Sequence, residues 1–116
     1  MTKLSWTGFS KKTLQERKEH LKNSALLSQE NQDLLDNDQQ LTLETANQMV
    51  ENVIGRFTLP FAICPDVLVD GVTYQVPMVT EEPSVVAAAS YASKLIKRSG
   101  GFTTKIHDRQ MIGQVA

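Results

Sequence analysis

Polar and apolar residues in the first part of the chain follow helical spacing. Thr13 and Glu16 match the capping-box pattern, so a short amphipathic helix is predicted over residues 14–23. Ser28 is the expected N-cap of a second short helix, which ends near Asp36. The chain is therefore expected to begin with two short, polar helices.

A third helix is predicted to open at Thr42 and to close at Gly55. Its apolar residues recur at helical spacing and are Ala46, Met49, Val50, Val53 and Ile54. Glycine adopts the left-handed conformation without strain, so Gly55 is the expected C-cap. Glu51 and Asn52, near the end of this helix, have the plain interpretation of polar residues on a helical surface.

Past the third helix the period of the hydrophobic pattern changes to two. The alternating residues are Phe57, Leu59, Phe61 and Ile63. They indicate a strand that Pro60 confines to an edge or makes irregular. Asp70 and Gly71 separate two β-prone runs, 67–69 and 72–79. Asp-Gly in that position predicts a β-hairpin, because both turn residues need positive φ.

An alanine-rich helix is predicted after the hairpin. Pro83 is expected in its first turn, where a backbone N–H would have no acceptor within the helix, so that a proline costs no hydrogen bond. Residues 84–96 are expected to form its body. Gly100 and Gly101 are expected to end it. Because most of its side chains are small, neighbouring backbones can approach closely, and we expect the helix to be central.

Residues 102–106 and 109–116 are predicted to be strands. Together the elements define an α+β fold with short amino-terminal helices, a β-hairpin and a central Ala-rich helix. A length of 116 residues permits one modest core and is too short for two ordinary domains.

Composition excludes several classes of function. With 12 Lys and Arg against 13 Asp and Glu, the chain lacks the basic surplus of a general nucleic-acid binder. It contains no apolar run long enough to span a membrane. Cys64 is the only cysteine and cannot form an internal disulfide, which fits a cytoplasmic protein. His20 and His107 are the only histidines and lie far apart, so no metal site is expected.

The strongest candidate for chemistry is the sequence Thr80-Glu81-Glu82-Pro83-Ser84, between the hairpin and the Ala-rich helix. In one interpretation the two carboxylates are a charged N-cap that the helix dipole stabilises. In the other, one carboxyl points into a cleft beside the Ser84 hydroxyl and acts as an acid. Spacing alone does not choose between them.

Lys11 and Lys12 precede the first helix. They either meet phosphate groups near a helix N-terminus or form an ordinary solvated face. No G-x-G-x-x-G phosphate loop is present in the sequence, because Gly100 and Gly101 lack that order and are expected to open a strand.

Two longer segments resemble hydroxymethylglutaryl-CoA reductase. The first is Glu51-Asn52-Val53-Ile54-Gly55. The second runs over residues 76–91 and contains Glu-Glu-Pro-Ser at 81–84, where the eukaryotic enzymes have Thr-Glu-Gly-Cys, so it resembles the bacterial class II branch. Gly100-Gly101-Phe102 and Ile112-Gly113-Gln114 continue the likeness, which covers nearly all of the chain.

The resemblance implies the reduction of hydroxymethylglutaryl-CoA to mevalonate and free CoA, with two equivalents of NADPH or NADH, in the mevalonate route to isoprenoids. Glu82 matches the family's catalytic glutamate, and Ser84 matches a serine that contacts the hydroxymethylglutaryl group. Glu82 must then hold a proton near neutral pH. Since the helix dipole opposes this, burial in a dimer cleft or hydrogen bonding is expected to offset it.

Further residues take their expected roles from the same resemblance. Glu51, Asn52 and Gly55 match the segment that the family uses at its dimer interface, so a homodimer or a higher oligomer is implied. Lys11 and Lys12 lie near the family's CoA-phosphate region, without a clean match to a motif position.

The sequence also departs from the complete family pattern. The family's catalytic lysine, aspartate and histidine lie further along, as does its nicotinamide-binding domain. Residues 1–108 are therefore expected to belong to the large substrate-binding domain, and 109–116 to begin the inserted small cofactor domain. By itself the chain is expected to be inactive. The alternatives are a non-catalytic dimerisation or interaction module and a CoA-phosphate binder without redox chemistry.

Overall fold

The structure, a computed structural model, describes residues 4–37, 41–110 and 113. The chain divides into two compact units, Met1–Leu59 and Pro60–Ala116. The first unit contains the 3-10 turn Phe9–Lys11 and the helices α1 (Leu14–Asn23), α2 (Gln29–Asp36) and α3 (Leu43–Met49). The second contains the strands β1 (Phe61–Val69) and β2 (Val72–Val79) and the helix α4 (Val85–Arg98). These elements confirm the predicted α+β class.

Helices α1 and α2 begin where the sequence predicts. The Thr13 hydroxyl accepts the backbone N–H of Glu16 at 3.3 Å, and the Glu16 carboxylate accepts that of Thr13 at 2.7 Å. The hydrogen bonds from the Thr13 backbone and hydroxyl lower the pKa of Glu16. Ser28 caps α2 by accepting the backbone N–H of Asn31 at 3.3 Å. Both helices and their capping residues are confirmed.

Helix α3 is shorter than predicted, because it ends at Met49. Val50 is extended, at φ −143°, although its N–H still completes the last helical hydrogen bond. The left-handed residue after the helix is Asn52, at φ 57°, so the prediction of Gly55 as a left-handed C-cap is wrong. The β-branched residues that follow Met49 are weak helix formers. Ile54, the last apolar residue of the predicted helix, is fully exposed in the observed conformation.

The β-hairpin forms at the predicted turn. Asp70 and Gly71 take positive φ, at 46° and 79°, as a two-residue turn between twisted strands requires. The antiparallel ladder extends from this turn to Phe61, which lies opposite Val79. The strand predicted from Phe57 to Ile63 forms only from Phe61, as the start of β1, and the preceding segment, 57–60, is not a strand. Its last residue is a proline, which has no N–H to donate to a ladder.

Helix α4 packs against β1. Cys64 of β1 and Ser93 of α4 are both buried, with Sγ and Oγ 3.8 Å apart. The helix begins at Val85, and its N-cap is Ser84, in the left-handed conformation at φ 71°. The predicted place of Pro83 in the first helical turn is therefore wrong, because a left-handed residue separates it from the helix.

The chain after α4 returns to the hairpin. Phe102 forms a parallel bridge with Val69, and its N–H donates to the Leu68 carbonyl at 2.8 Å. The next contact is made by Thr104, whose N–H donates to the Asp70 carboxylate at 2.9 Å and whose hydroxyl also bonds that carboxylate. These side-chain bonds take the chain away from the strand ladder after a single bridge.

The two strands predicted at the end of the chain are not formed in the described residues. Of residues 102–106 only Phe102 pairs, and residues 109 and 110 are not in a strand. Residues 111, 112 and 114–116 of the second predicted strand lie outside the described residues. Among the helices that the structure describes, none has both the length and the hydropathy needed to cross a membrane.

Candidate functional site

The candidate site is the five-residue connection between β2 and α4. Its first residue, Thr80, is anchored by a hydrogen bond from its N–H to the Pro60 carbonyl at 3.3 Å. The Thr80 hydroxyl accepts the backbone N–H of Glu82 at 3.1 Å. At the other end, the Ser84 carbonyl accepts a helical hydrogen bond of α4 at 2.8 Å. Hydrogen bonds therefore fix the backbone on both sides of Glu82.

Ser84 holds the most unusual backbone conformation of this connection. Its φ of 71° lies in the left-handed region, which costs a residue with a Cβ about 1–2 kcal/mol. The Ser84 side chain makes no capping hydrogen bond to α4. Its hydroxyl is exposed and remains available to a ligand.

Glu81 and Glu82 are both exposed in this chain. Ser84 is the N-cap of α4, and the first turn of the helix contains no acidic residue. The interpretation of the two carboxylates as a charged N-cap is therefore wrong. The helix begins only after Ser84, so its N-cap position lies two residues beyond Glu82.

Thr80 is a positioning residue, a role that the sequence interpretation did not assign although it included Thr80 in the candidate segment. Its hydroxyl bonds the N–H two residues ahead, the pattern of a serine–threonine turn. The signal was present in the sequence, because a threonine stands two positions before the candidate acid. That pattern is common, and it identifies a turn without identifying its purpose.

Lys11 and Lys12 lie in the first unit, at the 3-10 turn that precedes α1. Lys11 is exposed and Lys12 half-buried, with its backbone N–H donated to the Phe9 carbonyl at 3.2 Å. Both residues are close in sequence to the N-terminus of α1. The positive charge of Lys12 contributes to lowering the pKa of Glu16 and of His20.

The segment that follows α3 is exposed at Glu51, Asn52 and Gly55. Glu51 and Asn52 are therefore not on the helical surface that the sequence had predicted. Gly55 does not have positive φ, and a Cβ added there would meet nothing within 4 Å. The contacts described for this chain thus give no reason for a glycine at that position. Two large apolar side chains of the same segment are also exposed, Ile54 at 101% and Phe57 at 90%.

The structure brings Glu82 and Ser84 into one connection in the second unit, while Lys11, Lys12 and the segment at 51–55 belong to the first unit. Among the described residues, no group of three His, Cys, Asp or Glu side chains is placed to hold a metal ion.

Gly101, which follows α4, lies close to β1. A Cβ added at Gly101 would lie 2.6 Å from Cγ of Leu68 and 2.8 Å from its carbonyl oxygen. The absence of a side chain at Gly101 therefore allows contact with β1 and leaves no cradle for a phosphate there.

Comparison with known proteins identifies the family. A family model described as hydroxymethylglutaryl-coenzyme A reductase matches residues 13–116. The curated 3-hydroxy-3-methylglutaryl-coenzyme A reductase of Archaeoglobus fulgidus is 46% identical over 108 residues, which are 93% of this chain and 24% of that protein. The chain therefore belongs to the hydroxymethylglutaryl-coenzyme A reductase family.

Solved structures of the same family agree with the fold. A 3-hydroxy-3-methylglutaryl-coenzyme A reductase from Streptococcus pneumoniae is 63% identical with a TM-score of 0.86, over 92% of this chain and 25% of that one. The class II reductase of that organism bound to NADPH in open conformations is 62% identical, also with a TM-score of 0.86, over 92% of this chain and 29% of that one. The predicted likeness to class II is confirmed. The chain spans about a quarter of the length of these relatives.

Proposed function

We propose that the complete protein reduces hydroxymethylglutaryl-CoA to mevalonate and free CoA with two equivalents of NADPH or NADH. In this proposal residues 1–108 form part of the substrate-binding large domain, residues 109–116 begin the small domain, and the segment is inactive by itself. The observation that supports it most strongly is the family match over residues 13–116, which includes the entire connection that carries Glu82 and Ser84.

Glu82 is the proposed catalytic acid. Reduction of a thioester, and then of an aldehyde, builds negative charge on the carbonyl oxygen, and a protonated carboxyl placed beside that oxygen lowers the barrier. The hydrogen bond from the Glu82 N–H to Thr80 holds the backbone that presents this carboxyl. Since Glu82 is exposed in this chain, the proposal requires other parts of the assembled enzyme to cover it.

Ser84 is the proposed contact for the hydroxymethylglutaryl group. Its hydroxyl is exposed and makes no capping bond to α4, so it can donate to a substrate oxygen or accept from a substrate hydroxyl. The strained left-handed backbone supports this role, because such strain is concentrated at functional positions.

Lys11 and Lys12 are the proposed contacts for the phosphates of coenzyme A. The two ammonium groups are adjacent in sequence, and Lys11 is exposed, as an electrostatic contact to a phosphate requires.

Glu51, Asn52 and Gly55 are proposed to lie at a subunit interface of a homodimer or a higher oligomer. The exposure of Ile54 and Phe57 beside them supports this, because large apolar side chains are favoured in such interfaces.

The nicotinamide is proposed to bind outside residues 1–116, since the sequence contains no G-x-G-x-x-G phosphate loop. We further propose that the enzyme is cytoplasmic and supplies mevalonate for isoprenoid synthesis. The free thiol of Cys64, buried between β1 and α4, is compatible with a reducing compartment.

The test is a spectrophotometric assay of the complete protein with hydroxymethylglutaryl-CoA and reduced nicotinamide, in which nicotinamide oxidation and thiol release are followed together. Two nicotinamides oxidised per CoA released is the expected result. Binding of hydroxymethylglutaryl-CoA without nicotinamide oxidation would instead support the CoA-phosphate binder. A protein that self-associates but binds neither compound would support the interaction module.

A further inference from the structure

Three aromatic side chains connect the start of the chain to α1. Trp6 is buried, at 7% exposure, and its ring centroid lies 4.9 Å from that of Phe9. The imidazole of His20, on α1, meets the Trp6 ring edge-on at 4.6 Å and the Phe9 ring at 5.5 Å. Such edge-to-face contacts stabilise an aromatic pair beyond the burial of its surface.

Residues 6–12, which we term the amino-terminal hook, include a short 3-10 turn. The Phe9 N–H donates to the Trp6 carbonyl at 3.1 Å, and the Lys11 N–H donates to the Gly8 carbonyl at 3.0 Å. These bonds form only a single 3-10 turn, which has poor hydrogen-bond geometry and is not stable by itself. The aromatic contacts with His20 join the hook to α1.

The surroundings of His20 favour its neutral form. Its Nε2 is buried and has no hydrogen-bond partner among the described residues. Although the His20 side chain as a whole is half-buried, protonation would place positive charge on a buried Nε2 that has no acceptor among the described residues, which costs more than a neutral unpaired nitrogen.

The charged groups around His20 do not compensate for its protonation. From the hook, the positive charge of Lys12 opposes a second cation. On α1, one turn earlier, Arg17 is also cationic, and its Nε is buried without a partner. The Glu16 carboxylate, in the same turn, is engaged by the backbone and hydroxyl of Thr13.

We propose that His20 is a positioning residue whose neutral imidazole holds the hook, with Lys11 and Lys12, against α1, and that its protonation releases the hook. The consequence for coenzyme A rests on the function proposed above for the two lysines. Release of the hook does not rest on that function, because it follows from the aromatic contacts and the unpartnered Nε2 of His20.

The direction of the pH dependence follows from burial. Burial, and to a lesser extent the charge of Lys12, lower the pKa of His20 below its ordinary value of 6.5. Over the pH range below 6.5 the released state therefore binds more protons than the closed state. The contribution of His20 to the stability of the hook is complete above that value and is lost as the pH falls below it.

Hydrogen exchange of the complete protein tests the release directly. Exchange of the peptide that spans the hook is followed by mass spectrometry at pH about 7.5 and about 5.8, on the two sides of the histidine range, and corrected for the intrinsic effect of pH on amide exchange. The wild-type hook is expected to lose protection at the lower pH. His20→Phe keeps an aromatic ring that cannot be protonated, so its hook should remain protected at both values.

Two further variants make the result specific. His20→Gln, which cannot titrate either, should also show no pH response, even if its hook is less protected throughout. His107→Gln is the matched control, because His107 is the other histidine of the chain and is exposed, and it should respond like the wild type. A wild-type hook equally protected at both pH values, or a pH response that persists in both His20 variants, would overturn the proposal.

The affinity for free coenzyme A at the same two pH values tests the link to the lysines. The wild type should lose more affinity on acidification than His20→Phe, and this difference removes the contribution of the titrating phosphates themselves. If the hook opens and the two proteins lose affinity equally, the phosphate role proposed for Lys11 and Lys12 is wrong, while the role of His20 in holding the hook stands.

Discussion

At the scale of single residues, backbone conformations that disfavour a Cβ occur at both ends of α4. Ser84 before the helix and Gly101 after it have φ of 71° and 91°. Ser84 bears the strain of its Cβ at the candidate site, whereas Gly101 avoids strain and also permits contact with Leu68 of β1. The same backbone requirement therefore has a functional interpretation at Ser84 and a packing interpretation at Gly101.

Gly101→Ala is expected to open the contact between the chain after α4 and the hairpin. The new methyl group would lie 2.6 Å from Cγ of Leu68 and 2.8 Å from its carbonyl oxygen, which adds a clash to the backbone strain. The clash is expected to cost about 1–3 kcal/mol. The measurement is the free energy of opening from hydrogen exchange at the Phe102 and Asp70 amides, both of which donate across this contact.

Gly100→Ala is the matched control for that clash. Gly100 also has positive φ, at 106°, but a Cβ added there would meet nothing within 4 Å. Its substitution should carry only backbone strain, of about 1–2 kcal/mol. Equal effects of the two substitutions would show that contact with Leu68 does not determine the requirement for glycine at position 101.

At the scale of elements, the sequence predicted best those features that depend on neighbouring residues. The capping box at Thr13, the cap at Ser28 and the Asp70-Gly71 turn all stand as predicted, because their hydrogen bonds or φ angles are determined within a few residues. The end of α3 was missed. Its apolar pattern continues to Ile54, but the pattern predicts a helix only where that face is buried.

The elements that long-range contacts determine were predicted less well. The segment at 102–106 has the composition of a strand. Its Thr104, however, donates its backbone N–H to the carboxylate of Asp70, 34 residues earlier. At the candidate site, the proximity of Glu82 and Ser84 could be predicted from the sequence, since the two residues lie two positions apart. The left-handed backbone of Ser84 could not be predicted in the same way, because serine rarely adopts it.

The proposed interface segment after α3 makes a prediction at this scale. Ile54→Glu in the complete protein should shift the oligomer towards monomers, because a buried interface leaves the new carboxylate without solvent or a partner. Ile54 is fully exposed in the structure described here, so the folding of this segment should change little. Analytical ultracentrifugation measures the shift.

Ile106→Glu is the control for the interface prediction. Ile106 is also highly exposed, at 81%, but it lies in the second unit, outside the segment at 51–55. This variant should retain the wild-type oligomeric state. An Ile54→Glu protein that sediments like the wild type would contradict an interface at this segment.

At the scale of the whole molecule, the chain supplies part of the proposed chemistry. It spans about a quarter of the length of the relatives that it matches, and its candidate acid is exposed. An acid that protonates a developing alkoxide needs shelter from water, since shielding favours its neutral form. The account therefore depends on Glu82 being covered and protonated when the complete protein binds its thioester.

Comparison of Glu82→Gln with Glu81→Gln in the complete protein tests this claim most directly. Both glutamates are exposed neighbours in one connection, so each substitution replaces one carboxyl group with an amide at nearly the same place. Glutamine cannot donate the proton of a carboxylic acid, and turnover of Glu82→Gln should fall at least about 100-fold, with its circular dichroism unchanged. Glu81→Gln should retain nearly full turnover. Near-normal turnover by Glu82→Gln, or an equal loss in the two variants, would contradict the assignment of Glu82 as the acid.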